Sequence, residues 1–184
     1  MIDIILDTET TGLLKPKSAP LNEQPKIIEL AFIKVQDGVV LSEHEWLVHP
    51  GELITDEITK ITGIKNEDLE GKPAFKEILQ QVEDLFVGAD RLIAHNAPFD
   101  TGMLRNDIAR AEWPKEFPWP KETICTVQEF RHEYGRRMKL TELYEKKVGK
   151  PLAQTHRALD DVKALFEMLV AAGFYANDTA SDQN

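Results

Sequence analysis

Only one cysteine, Cys125, occurs in 184 residues, which excludes an intrachain disulfide framework and any metal site built on paired cysteines. Cys125 lies between Ile124 and Thr126 in a short apolar run, where a packed thiol is expected. There is also no stretch of about 18 consecutive apolar residues, and the N-terminus lacks the basic-then-apolar order of a signal peptide. The expectation is therefore a cytoplasmic protein with no membrane partner. Basic residues are in deficit as well: 22 Lys and Arg stand against 32 Asp and Glu, a net charge of −10. Broad electrostatic adhesion to nucleic acid is thereby excluded, because such affinity comes from Lys and Arg neutralising phosphates; any contact must be local and metal-assisted. Repeats and low-complexity segments are absent.

What is present suits one globular α/β domain: 42% hydrophobic and 29% charged residues, with the domain expected over 1–174 and a polar tail over 175–184. One segment opposes the acidic trend. From Arg131 to Lys150 seven basic residues face three acidic ones, a local +4, which reads either as a solvated helix face or as a track for phosphates.

The run Ile2 to Leu6 reads as a short buried strand that gives way at Asp7-Thr8-Glu9-Thr10-Thr11-Gly12 to a loop. Strand alternation points Asp7 and Glu9 to one face, about 7 Å apart along the backbone. Two such carboxylates repel by roughly 4 kcal/mol at 4 Å and an effective dielectric of about 20, so the pair calls for cations or protons. A proline-rich loop follows from Leu13 to Pro25, then a hairpin of Lys26 to Val35 and Val39 to Val48 turning at Asp37-Gly38. Thr55 can cap a helix ending at Gly63, and a second helix between Pro73 and Gly88 carries its apolar face on Phe75, Ile78, Leu79, Val82, Leu85 and Phe86. Arg91 to Ala94 is another strand, followed by His95-Asn96-Ala97-Pro98-Phe99-Asp100 at the start of a helix. A strand at Cys125, a helix near Val127 to Tyr134 and one from Leu140 to Gly149 come next; Trp113 and Trp119 read as packing anchors.

The last helix is expected to bury Val162, Leu165, Phe166, Leu169 and Val170. Asp161 then lies on the flank of that face, looking into a cleft beside the sheet, whereas Asp160 faces water. His156 would be about 140° from Asp161 on a continuous helix, so the two can meet only if Thr155 caps the helix and His156 ends the preceding loop. Asp7, Glu9, Asp100 and Asp161 can thus converge at one sheet edge with His156 above them. All-oxygen ligation suits Mg²⁺ or Mn²⁺, and two such ions about 4 Å apart clamp the attacking and leaving oxygens of a phosphoryl displacement. An imidazole, with an ordinary pKa of about 6.5, suits removal of a proton from the attacking water.

Asp7 to Leu13, His95 to Asp100 and His156-Arg157-Ala158-Leu159-Asp160-Asp161 resemble, in order, the three motifs of the DEDDh (DnaQ-like) 3′-5′ exonucleases, the family of the proofreading epsilon subunit of bacterial DNA polymerase III. The resemblance runs from Ile2 to about Phe174 and includes Ile61-Thr62-Gly63-Ile64; Arg157 stands where the tyrosine subfamily would have Tyr, while His156 fits the histidine spacing. It implies a ribonuclease H-like fold, a central mixed five-stranded sheet flanked by helices. It also implies two Mg²⁺ or Mn²⁺ on Asp7, Glu9, Asp100 and Asp161, with Asp7 bridging and His156 as general base, and release of nucleoside 5′-monophosphates from a single-stranded DNA or RNA 3′ end. Substrate contacts would come from Thr10, Thr11, Gly12, Leu13, His95, Asn96 and Phe99, with the backbone of Glu9 to Thr11 receiving the 3′ hydroxyl, Leu13 wedging against terminal bases and Phe99 packing on the last nucleotide. Phe99 reads equally well as core. The Leu13 to Pro25 loop is longer than the family's usual link, and no polymerase-binding or clamp-binding extension is recognisable, so a stand-alone nuclease stands beside a subunit partnering a DNA polymerase. The alternatives are a ribonuclease of the oligoribonuclease or ribonuclease T kind, and a non-catalytic polymerase-associated binding subunit.

Overall fold

The computed structural model describes residues 1–153 and 155–176. Five strands form one mixed sheet: β1 (Ile2–Thr10), β2 (Ile27–Gln36), β3 (Val39–Leu47), β4 (Arg91–Ala94) and β5 (Glu122–Cys125), in the order β3-β2-β1-β4-β5. The hairpin partners β2 and β3 are antiparallel, β2 runs antiparallel to β1, and β1, β4 and β5 are parallel. Asp37 and Gly38, with φ of 49° and 82°, make the tight turn between β2 and β3, the left-handed pair that a two-residue hairpin demands.

Alternation along the strands fills both faces. Ile4, Leu6, Leu30 and Phe32 pack on one side against α3 (Phe75–Phe86) and α4 (Ala97–Arg110). Ile5, Ala31, Ile33 and Val35 pack on the other against α7 (Leu140–Val148) and α8 (Ala158–Ala171). The short helices α1 (Asp56–Thr62) and α2 (Asn66–Leu69) contribute to a small third cluster with Ile28, and α5 (Thr126–Glu129) and α6 (Arg131–Tyr134) follow β5. Thr55 caps α1 through the Ile58 amide and Gly63 closes it in the left-handed region. Trp113 and Trp119 pack against the first cluster, and Cys125 is a buried thiol beside the His95 carbonyl. Among the described residues no helix is long and apolar enough to cross a membrane.

Four expectations are corrected. β1 does not stop before Asp7: it continues to Thr10 because β2 pairs with it as far as Thr10, opposite Ile27, and β-branched Thr8 and Thr10 suit a strand. The single helix expected near Val127 to Tyr134 is two short ones. Tyr175, assigned to the tail, is 7% exposed and packs into the second cluster, so the fold extends past Phe174; residues 177–184 of the expected tail lie outside those described. The buried face of α8 is turned toward Ala158, Asp161 and Met168, leaving Val170 49% exposed and Phe166 half-buried. Asp161 is drawn inward with that face.

Candidate active site

The reach of β1 creates the site. β4 pairs with β1 only from Asp3 opposite Arg91 to Ile5 opposite Ile93, whereas β2 stays paired with β1 through Glu9 and Thr10. Beyond Leu6, the β4 side of β1 is therefore not paired, and α4 begins there instead of a strand. This is the crevice past the carboxyl ends of parallel strands where α/β sheets place ligands. Alternation sends Thr8 toward α4, where its hydroxyl donates to the buried Asp100 carboxylate at 2.8 Å. Asp7 and Glu9 take the opposite face, toward α8.

From α8 and the loop before it come the remaining groups. One ligand atom each of Glu9, His156 and Asp161 lies within 4.8 Å of the other two. Asp7 and Asp100 border this triad closely enough that their charges bear on one another and on Glu9 and Asp161. All five expected residues are thus brought to one place, three in the tight group and two beside it. His156 belongs to the loop, as expected, but Thr155 does not cap the helix: its hydroxyl donates to Asp160 at 2.7 Å, and Arg157 occupies the cap position. His156 is exposed and sits at φ 52°, in the left-handed region that costs a non-glycine residue about 1–3 kcal/mol and is found where surroundings over-determine it.

What over-determines it is a residue the motifs do not contain. Glu29 on β2, opposite Glu9 in the register, is fully buried. Its Oε1 accepts from Arg157 Nε at 2.8 Å and from Nη2, and its Oε2 accepts from the Ala158 amide at 2.8 Å. One carboxylate thus ties β2 to the first turn of α8 and fixes the two residues that follow His156. The sequence signal was faint: an acid inside the otherwise apolar run Ile27 to Ile33, which a buried partner explains.

Electrostatically the pocket is overcharged. Burial first, then Asp100, Glu9, Asp161 and Glu29, push Asp7 well above the usual carboxylate range. Burial followed by Asp161 and Glu29 pushes Glu9 up to about 8, against a smaller opposing effect of Arg157. Burial also pushes Asp100 up to about 7, although the Thr8 hydroxyl favours its charged form. An oxygen-rich set of acids with so little cationic relief fits a hard divalent cation. The linkage has a definite sign. Between the ordinary carboxylate range and about pH 8 the folded, metal-free protein binds more protons than the unfolded chain, so stability falls as pH rises through that window. The thermal midpoint in EDTA should decline from pH 5 to pH 8, and Mn²⁺ should raise it more at pH 8 than at pH 5; a metal-induced shift indifferent to pH would contradict this assignment.

The expected substrate contacts are placed as follows. Thr10 Oγ1 donates to the Gly12 carbonyl at 2.8 Å, and Thr11 exchanges backbone and hydroxyl hydrogen bonds with Lys26, which holds the turn after β1. Leu13 is 83% exposed beside the site. Phe99 is half-buried against the first core cluster, so both readings of it keep a physical basis. Asn96 accepts from Arg137 Nη2 at 3.2 Å. His95 spends both ring nitrogens inside the protein: Nε2 donates to the Met138 carbonyl at 3.1 Å and Nδ1 accepts from Thr126 Oγ1 at 3.0 Å. Burial pushes its pKa down to about 4, which keeps this tautomer neutral. The Leu13 to Pro25 loop is pinned by Gln24, whose amide bonds to Lys15 and Pro16, and its Leu14 packs on Gly102 of α4 so closely that a Cβ there would stand 2.7 Å from Leu14 Cδ1.

Comparison with known proteins adds three findings. The family model RNase_T, described as an exonuclease, matches residues 4–169. The DNA polymerase III PolC-type of Clostridium perfringens is 31% identical over 166 residues, covering 90% of this chain and 11% of that protein; that of Staphylococcus aureus is 31% identical over 161 residues, covering 88% and 10%. The chain thus spans about a tenth of the length of these relatives. Among solved structures, the nuclease domain of 3′hExo, a DEDDh family member bound to rAMP, shares the fold with a TM-score of 0.74 at 18% identity, covering 95% of this chain and 92% of that one. Exonuclease X in complex with 5′ overhanging duplex DNA has a TM-score of 0.64 at 25% identity, covering 93% of each chain.

Proposed function

The chain belongs to the RNase_T exonuclease family, and from that premise we propose that it is a divalent-metal-dependent 3′-5′ exonuclease of the DEDDh type that releases nucleoside 5′-monophosphates from single-stranded ends. The observation that carries this reading is the meeting of Glu9, His156 and Asp161 within 4.8 Å, with Asp7 and Asp100 alongside, where β1 outruns β4. Two Mg²⁺ or Mn²⁺ held by the four acids would supply a charge clamp on the attacking and leaving oxygens of an in-line displacement. The chain's own residues do the rest. The exposed His156 takes a proton from the water that attacks phosphorus. The bond from phosphorus to the upstream 3′ oxygen breaks, that oxygen regains a proton from solvent, and the terminal nucleotide leaves with a 5′ phosphate. The turn at Thr10 to Leu13 and the face of Phe99 receive the last nucleotide, while His95 and Asn96 act through the scaffold that holds α4.

The likeness to PolC-type polymerases supports DNA as substrate and a polymerase as partner, whereas 3′hExo, solved with rAMP, supports RNA. One experiment separates them: product analysis with Mg²⁺ or Mn²⁺ on single-stranded DNA, duplex DNA with a mismatched 3′ terminus, and short RNA oligomers. The proposal expects mononucleotides released stepwise from 3′ ends. A marked preference for RNA dinucleotides would move the substrate to RNA, and no metal-dependent release from any of the three would sink the reading.

A further inference from the structure

The basic stretch from Arg131 to Lys150 resolves into two kinds of residue. Arg136 pairs with Glu142, Lys147 with Glu133 and Lys150 with Glu167. Arg131 and Arg137 are exposed and make no ion pair among the described residues, on a chain with ten more acids than bases. They are brought together by Gly135, whose φ of 68° ends α6 and turns the chain back, so that both line one open cleft of about 580 Å³ with Gln128 and His132. The cleft adjoins the candidate active site. It opens past the carboxyl end of β5, next to the end of β4, and its wall is stitched to the second motif by the Arg137–Asn96 bond and by His95 Nε2 donating to Met138. Asn96 is the residue from which α4 starts toward Asp100.

We propose that this cleft is a subsite for the phosphodiester backbone of the strand upstream of the cut, with Arg131 and Arg137 as its phosphate ligands. The inference rests on the exonuclease reading and extends it. The acid-lined centre accepts a polyanion only at its metals, so nucleotides beyond the last one need separate cations to hold them. Two guanidiniums with no ion pair among the described residues line one cleft, a short step from the second motif, and can supply such cations. Phosphate is common to DNA and RNA, so the subsite is indifferent to the sugar.

The test compares wild type with Arg131→Ala/Arg137→Ala, using 5′-labelled decathymidylate and decauridylate for binding by fluorescence anisotropy, with Ca²⁺ in place of Mg²⁺. The double variant should bind both decamers about tenfold more weakly and lower the slope of log affinity against log salt by about 0.7 per arginine lost. In Mg²⁺ its kcat/KM should fall far more on the decamer than on a dinucleotide. Arg136→Ala, which removes a guanidinium already paired with Glu142, should change neither. Unaltered decamer binding, an equal loss on decamer and dinucleotide, or a loss confined to one sugar would each overturn the subsite. Arginine-dependent decamer binding by a wild-type protein that hydrolyses nothing would keep the subsite and refute the exonuclease reading.

Discussion

Asp7→Ala should remove turnover and make the metal-free protein more stable. Both effects follow from one position. Asp7 lies in β1 just past the last residue paired with β4, beside the group of Glu9, His156 and Asp161, and its charge is opposed by burial and by four neighbouring acids. If Asp7 holds the cations as proposed, its removal costs charge stabilisation worth several kcal/mol, so kcat should fall about a thousandfold or more. The same change lifts a buried like-charge repulsion, so the thermal midpoint in EDTA at pH 8 should rise, and the stabilisation by Mn²⁺ should largely vanish. The control is one residue from Asp161. Asp160→Ala, at an exposed site whose carboxylate accepts from Thr155, should retain most of its turnover. Comparable losses from the two variants would mean that α8 presents its acids differently from the structure.

His156→Ala should lower kcat by about 10²- to 10⁴-fold at saturating metal, the usual contribution of a positioned general base, with a much smaller change in KM. The imidazole is exposed, which leaves it open to the water and to bulk solvent, and its left-handed backbone is held by the Glu29 contacts to Arg157 and Ala158. Geometry alone also allows the imidazole to join Glu9 and Asp161 around an ion. The variant separates the two roles. A base lost leaves the Mn²⁺ concentration for half-maximal activity nearly unchanged, and added imidazole restores part of the rate. A ligand lost shifts the metal requirement upward, and excess Mn²⁺, not imidazole, restores the rate.

The sequence showed the fold wherever local chemistry decides it. Asp37-Gly38 could hardly be anything but a hairpin turn, and all but one of the expected apolar positions of α3 are buried, with Leu85 half-buried. It misled where the partner decides. The run of polar residues after Leu6 looks like a loop in isolation and is a strand only because β2 lies beside it. Hydrophobic spacing put Phe166 and Val170 inside α8, yet the helix is turned to bring Asp161 in toward β1, a cost accepted where polar partners are waiting. The site was legible in part for the same reason. Acids spaced by two on a strand or set at a helix start announce themselves, and Asp7, Glu9, Asp100, Asp161 and His156 do come together. Glu29 was invisible because its meaning lies 128 residues away, in Arg157. Thr155 matched a cap by type, but with the Arg157 side chain and the Ala158 amide held by Glu29, the helix start is fixed by other means and the threonine turns to Asp160.

The bond between Glu29 and the start of α8 has a temporal consequence. The strand that carries this carboxylate is synthesised before the helix it fastens, so Glu9 has neither Asp161 nor His156 for company until that helix has left the ribosome. A nascent copy that has the first and second motifs but not the third therefore lacks the assembled group of Glu9, His156 and Asp161. The site is assembled in a single event, the docking of one helix.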